Sequence, residues 1–373
     1  MENQIRILHV LGGLGLGGAE TFVMNLYRAI DREKVQFDFV IYEDGLRDYE
    51  AEISQLGGKI FLSPHFDIKN VKGYQLWWRD FFSKHQEYSV VHGHVRSTAL
   101  IYLSEAKRKG IYTIAHSHSV SSGMGLTAIL KKALQYPVRY IADYFMGCST
   151  AANEWLFGKK IARGNKCEVI KNGININAYR FDEEKRRRLR NQLNIPEGAI
   201  LIGNVGRLVP VKNQSFLIDV FESVLCKESN SFMVIVGDGP LKSKLQLKAE
   251  TLGVDEQVRF LGNRRDVPDL LQAMDVFVFP SLYEGLGIAL IEAQVNGLPC
   301  VVSDGVPREA DLGCNLIEFL ELSAGKECWS VEILRAGVKK RKSKEGEASA
   351  CLNGYSIKNE ATKIERFYMA HNR

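Results

Sequence analysis

Short apolar runs recur along the chain, each followed by a glycine-rich or polar turn and then by a stretch with helical spacing. In the first half the runs are Ile5–Val10, Phe37–Tyr42, Lys59–Leu62, Ser89–His92, Tyr112–Ala115, Tyr144–Gly147 and Cys167–Ile170. A second series follows with Ala199–Gly206, Phe232–Val236, Val276–Phe279 and the run opening at Cys300. Runs of this length, rich in β-branched and aromatic residues and lacking polar alternation, predict strands buried on both faces. Between them, Phe22, Val23, Leu26, Ala29 and Ile30 predict one helix. Ile288–Asn296 predicts another, stopped by Gly297 and Pro299, and Ile357–Tyr368 a last one. Strands alternating with helices predict an α/β fold of doubly wound parallel sheets.

A chain of 373 residues is long for one hydrophobic core, so two domains are expected, with the boundary between Asn172 and Arg180. The charged stretch Asp182–Arg190 stands between the two strand series, and the basic run Lys339–Lys344 reads as a solvated loop. Hydrophobic residues at 45% and charged residues at 25% are ordinary for a soluble protein. The net charge of +5 decides little: it suits an anionic small ligand or an acidic membrane surface as well as nucleic acid. Seven cysteines stand singly without Cys-x-x-Cys spacing, which predicts reduced thiols in a cytoplasmic protein. Ile5–Leu11 is too short for a secretory signal, and no run reaches the ~18 apolar residues of a membrane span.

Candidate chemistry gathers at turns after strands. Pro280-Ser-Leu-Tyr-Glu284-Gly285-Leu286-Gly287-Ile288 leads from a strand into the helix that carries Glu292. Such a helix entry offers unpaired backbone N–H groups and a positive dipole end, which attract phosphate. Extended loop plus helix holds the two carboxylates roughly 10 Å apart. That separation suits a ligand with hydroxyls at both ends and phosphates between, as in a sugar nucleotide. An earlier turn, Gly12 to Glu20, contains Gly13, Gly15 and Gly18 in G-x-G-x-x-G spacing, with Glu43 or Asp44 ending the second strand. A dinucleotide-dependent dehydrogenase is therefore a rival reading. Two histidine pairs, His92/His94 and His116/His118, follow strand ends, where ligands of open α/β sheets bind. A metal site is disfavoured because no carboxylate or cysteine clusters with them. Trp77, Trp78, Phe81 and Phe82 beside Arg79 read as buried aromatics with a solvated basic face. The alternative is a basic aromatic surface resting on anionic lipid, with Lys131 and Lys132 among the further basic residues.

Glu284 and Glu292 enclosing Gly-Leu-Gly, with Gly17-Gly18-Ala-Glu at the first helix entry and Arg207 and Lys212 after the Ala199–Gly206 run, resemble the retaining glycosyltransferases of family 4. The resemblance covers about residues 5–320. It implies the GT-B fold: two Rossmann-like domains facing across a cleft, here 1–175 for the acceptor and 176–356 for the nucleotide sugar, with helix 357–373 packing back on the first. By the same resemblance Arg207 and Lys212 grip the donor diphosphate, aided by N–H groups of Gly285, Leu286, Gly287 and Ile288. Glu284 lies by the sugar, Glu292 by the ribose, and Leu261 and Asn263 by the base. Gly17 and Gly18 approach donor phosphates and acceptor, and His116, or His118 in its place, contacts the sugar. The family works without a bound cofactor, and the chain has no Asp-x-Asp to hold a metal to a diphosphate. The expected reaction moves a sugar from a nucleoside-diphosphate sugar, such as a UDP-sugar, to a glycan or lipid-linked acceptor in exopolysaccharide or capsule synthesis. No nucleic acid is expected as partner, and contact with the inner membrane surface would run through the first domain. A GT-B 2-epimerase and a non-catalytic sugar-nucleotide-binding subunit are the other rivals.

Overall fold

Both series of apolar runs pair into parallel sheets. The computed structural model describes residues 4–118 and 135–372. The chain forms two units, Met1–Ile174 with Ser356–Arg373, and Asn175–Tyr355. Lys131 and Lys132 lie outside the described residues.

The first unit is built on β1 (Ile5–Val10), β2 (Val35–Tyr42), β3 (Ile60–Ser63), β4 (Tyr88–Gly93), β5 (Tyr112–Ser117), β6 (Tyr144–Gly147) and β7 (Cys167–Val169). Their order is β3-β2-β1-β4-β5-β6-β7, and every pairing is parallel. One core cluster contains Ile7, Phe37 and Phe39 with Phe22, Val23 and Leu26 of the helix Gly18–Ala29. Ile357, Ala361, Ile364 and Tyr368 of the helix Ile357–Ala370 join the same cluster. A second cluster holds Trp78, Phe81 and Phe82 of the helix Val71–Lys84. These rings are therefore core, and Trp77 is stacked on Phe81. Arg79 and Lys84 pair with Glu105 and Asp80. That leaves Val71 and Leu76 as the large apolar side chains this helix exposes, so the lipid-facing aromatic surface is not what it forms.

The second unit has β8 (Ile200–Val205), β9 (Ser231–Val236), β10 (Val258–Gly262), β11 (Val276–Phe279), β12 (Cys300–Ser303) and β13 (Ile317–Leu320). Their order is β10-β9-β8-β11-β12-β13, again parallel throughout. All four residues of β11 are buried, as a central strand covered on both faces requires. Asp182–Arg190 is largely the helix Glu183–Gln192, whose first turn is capped by Asp182 accepting from the Glu184 and Lys185 N–H groups. Its Arg186 and Arg190 share the carboxylate of Asp275. In the basic run 339–344 the four lysines are exposed as expected, and Arg341 is the basic residue that departs from a solvated position. Arg341 turns inward and donates to the carbonyls of Leu271, Gln272 and Met274. Burial lowers its pKa to about 9. Orphan carbonyls near the end of the helix Val267–Ala273 need donors, and the guanidinium fork supplies several at once. No helix among the described residues is long and apolar enough to cross a membrane.

Candidate active site

In the second unit the strand order reverses direction between β8 and β11, and the loops after these two strands lie side by side. Leu282 N–H donates to the Val211 carbonyl at 2.8 Å. Ligands of doubly wound sheets bind at such a switch point. The loop after β8 carries Arg207 and Lys212; the loop after β11 carries Glu284. Lys212 Nζ donates to Glu284 Oε1 at 2.5 Å, and Ser281 Oγ donates to the same oxygen at 2.6 Å. The ammonium also lies 5.0 Å from the Phe279 ring centroid. Arg207 is exposed, and its side chain makes no hydrogen bond or ion pair among the described residues. A fixed cation, a free one and a carboxylate thus project from two adjacent strand ends.

Glycines hold these loops in place. Gly237 has φ +133°, and a Cβ there would lie 2.2 Å from the Gly206 carbonyl oxygen, so only glycine lets the turn after β9 brace Arg207. Gly287 caps the helix Ile288–Val295 with φ 81°. The N–H groups from Gly285 to Ala289 find no backbone partner among the described residues; for Ile288 and Ala289 this is what the first turn of a helix dictates. Leu286 is buried, Gly285 exposed and Ile288 half-buried. Leu261 and Asn263 stand at the end of β10, half-buried and exposed respectively. That end is tied to the neighbouring turn by Gly237 N–H donating to the Gly262 carbonyl.

Glu292 occupies the second turn of the same helix and accepts from Tyr179 Oη at 2.6 Å. Burial raises its pKa to about 7, against the opposing effect of that hydrogen bond. Tyr179 is itself held by Asn296, whose amide donates to the Tyr179 carbonyl. Neither Tyr179 nor Ser281 stands out in the sequence. Tyr179 lies 113 positions from its partner with no motif around it, although Ser281 sits within the Pro280–Glu292 stretch.

In the first unit the glycine turn after β1 is closed off by the loop after β2. Leu14 N–H donates to the Leu46 carbonyl, and a Cβ on Gly13 would meet the Leu46 nitrogen at 2.9 Å. Of the two acids a dinucleotide ribose could use, Asp44 is hydrogen-bonded to His65 and Glu43 is exposed. Gly17 and Gly18 are exposed at the helix entry. Beside this turn, β1, β4 and β5 are neighbours, and their ends bring five histidines together. His92 Nε2 and His116 Nδ1 are 3.0 Å apart, as are His9 Nδ1 and His94 Nε2, and His94 Nδ1 lies 2.8 Å from His118 Nε2. His92 Nδ1 lies 2.6 Å from Tyr368 Oη. His9, His92, His94 and His116 are buried, and His118 is half-buried. Burial lowers the pKa of each, with neighbouring rings adding to the effect on His92, His94 and His116. His9 escaped the sequence reading, although it closes β1 in register with His92. Nothing local points to Tyr368.

Cations and carboxylates at the sheet end of one unit, with a second parallel sheet in the other, form an α/β arrangement whose class the following likenesses define. Residues 16–178 match the family model described as Glycosyltransferase Family 4, and residues 185–315 the one described as Glycosyl transferases group 1. EpsF of Bacillus subtilis (strain 168), named as a glycosyltransferase, is 36% identical over 356 residues, which are 92% of this chain and 91% of that protein. The UDP-Gal:alpha-D-GlcNAc-diphosphoundecaprenol alpha-1,3-galactosyltransferase of Escherichia coli is 26% identical over 81% of this chain and 80% of its own. Among solved structures, Anabaena Alr3699/HepE in complex with UDP-glucose superposes with a TM-score of 0.78 at 18% identity, over 98% of this chain and all of that one. The chain belongs to the family 4, group 1 glycosyltransferases, and its two Rossmann-like sheets are those of the GT-B fold. The dehydrogenase and epimerase readings find no support in these likenesses.

Proposed function

We propose that this glycosyltransferase moves a sugar from a UDP-sugar to a glycan or lipid-linked acceptor, with retention of configuration, in the synthesis of exopolysaccharide or capsule. One observation carries the donor half of this reading: Arg207, Lys212 and the N–H groups of Gly285–Ala289 stand on two loops that lie side by side after adjacent strands. A departing nucleoside diphosphate gains charge as the glycosidic bond breaks, and preorganised cations and amides oppose that charge most strongly in the transition state. Lys212 is already held by Glu284, so the cation needs no reorganisation when the diphosphate arrives. Glu284, anchored by Lys212 and Ser281, orients the sugar. Glu292 binds the ribose hydroxyls, Leu261 and Asn263 the base, and Gly17, Gly18 and His116 act from the first unit on acceptor and sugar. A front-face attack, with a donor phosphate oxygen taking the acceptor's proton, retains configuration without an enzymic nucleophile. The cations make a divalent metal unnecessary. Support for the donor class comes from relatives: one is named for UDP-Gal, and HepE was solved with UDP-glucose. The test is a screen of UDP- and GDP-sugars for binding and slow hydrolysis, with and without EDTA. Turnover of a UDP-sugar that is indifferent to EDTA and releases the sugar with its anomer retained is expected. Turnover that vanishes with EDTA and returns with manganese would overturn the metal-free reading.

A further inference from the structure

We infer that Tyr368, in the last helix of the chain, acts through His92 to fix His116 as a hydrogen-bond donor at Nε2. The inference rests on the reading above, in which His116 meets the sugar, but its geometry stands apart from it. Three buried groups form a chain: Tyr368 Oη to His92 Nδ1 at 2.6 Å, then His92 Nε2 to His116 Nδ1 at 3.0 Å. His116 Nε2 is buried and has no partner among the described residues. Burial keeps both rings neutral, so each imidazole has a single N–H, and the phenol supplies the third hydrogen.

Three hydrogens serve two hydrogen bonds, and one is left over. If the chain runs from His116 to Tyr368, the surplus is the phenol O–H. The wholly buried phenol has no other partner among the described residues, and the His116 Nε2 lone pair is then unmet as well. If the chain runs from Tyr368 to His116, the phenol donates, His92 accepts at Nδ1 and donates from Nε2, and His116 accepts at Nδ1. One unmet N–H then remains, at His116 Nε2. The second arrangement leaves fewer buried groups unsatisfied, and each such group costs about 1–3 kcal/mol. It also matches the short phenol–imidazole distance. The unmet N–H is thereby placed on the ring assigned to the sugar. Tyr368 is a positioning residue, and its action depends on the helix Ile357–Ala370 packing against β1 and β2 through the shared core.

The other three rings supply the contrast. His9, His94 and His118 form a chain of the same length with no phenol at either end, so its two directions leave the same kind of surplus.

The test is long-range 1H–15N correlation spectroscopy on ligand-free protein labelled in its 8 histidines, assigned by single His→Asn variants. At pH 7.5 His92 and His116 are expected as pure Nε2–H tautomers. In Tyr368→Phe the two directions leave equal orphans, so the His116 signals should move toward the mean of the two tautomers while thermal stability shows the fold intact. Wild-type His92 or His116 carrying its proton on Nδ1 would overturn the inference. So would a His116 tautomer unmoved by Tyr368→Phe, or zinc retained in stoichiometric amount through gel filtration, since a metal would take the lone pairs the chain uses. None of these spectra depends on a sugar donor, so a failed donor screen would sink the functional reading and leave this one standing.

Discussion

At the scale of single residues, the charged groups at the second sheet end divide by when they act. Arg207 and Lys212 face charge that appears as the leaving group departs. Replacing either by Ala should lower kcat about 10²–10³-fold with the fold intact, as removal of one preorganised donor does. Near-normal kcat in both variants would remove them from the leaving-group role. Glu284, by the reacting sugar, should show its loss in kcat when changed to Gln. Glu292, at the ribose, should show its loss in donor KM when changed to Ala. Equal loss of UDP affinity in both variants would mean that they do not mark opposite ends of the donor. Glu292 also carries a pH signature. Its pKa is raised to about 7 by burial, so the folded state prefers it protonated. The stability it contributes is complete below the ordinary glutamate range and is lost as pH rises through about 7. Glu292→Gln, always neutral, should therefore exceed the wild type in stability at pH 8, by on the order of 2–3 kcal/mol at most. At pH 5 it should show little gain. Thermal melts of both proteins at the two pH values check this.

At the scale of elements, the site is a set of turns braced against one another. The loop after β12 lies against the loop after β11: Glu284 N–H donates to the Gly305 carbonyl, and a Cβ on Gly305 would come within 2.2 Å of the Leu282 carbonyl oxygen. That obstacle is backbone, so Gly305→Ala must displace the segment that carries Glu284. It should cost about 1–3 kcal/mol and lower kcat together with melting temperature. Gly285 is the control. A Cβ there meets nothing within 4 Å, so Gly285→Ala should keep the melting temperature while crowding the approach of a diphosphate. A Gly305→Ala protein with unchanged stability and kcat would show that the brace does not position Glu284.

At the scale of the molecule, the first unit is completed by the far end of the chain. Ile357, Ala361, Ile364 and Tyr368 are buried in the core of that unit, and Ile357 N–H donates to the Ile174 carbonyl. Burying one large apolar side chain is worth about 1.5–3 kcal/mol, so losing these is comparable with the whole ~5–15 kcal/mol stability of a domain. Truncation after Tyr355 should therefore unfold the first unit. Native-like hydrogen-exchange protection of β1 and β2 in the truncated protein would refute this.

The central strands of both units were legible because a central parallel strand is apolar along its whole length, and a run such as Val276–Phe279 announces itself without neighbours. Helix Ile288–Val295 was legible from its stop residues, and Glu284 and Glu292 from the glycines between them. These signals are local: propensity, periodicity and turn chemistry act over a few residues. Strands β10 and β13, at the two edges of the second sheet, and helices Gly325–Gly337 and Ser343–Leu352 were not read, because their patterns are short or weakly amphipathic and their burial comes from neighbours elsewhere in the chain. Strand order is likewise not local. Only the adjacency of β8 and β11 sets Lys212 against Glu284, 72 residues on. Only the adjacency of β1, β4 and β5 gathers five histidines, and only the return of the last helix puts Tyr368 on His92, 276 residues away. The sequence by itself determined which segments become strands, which turns are free to meet a phosphate, and which residue types stand there. The tertiary structure alone decided which side chains touch, because partners so distant in the chain meet only when the sheets assemble and bury them together.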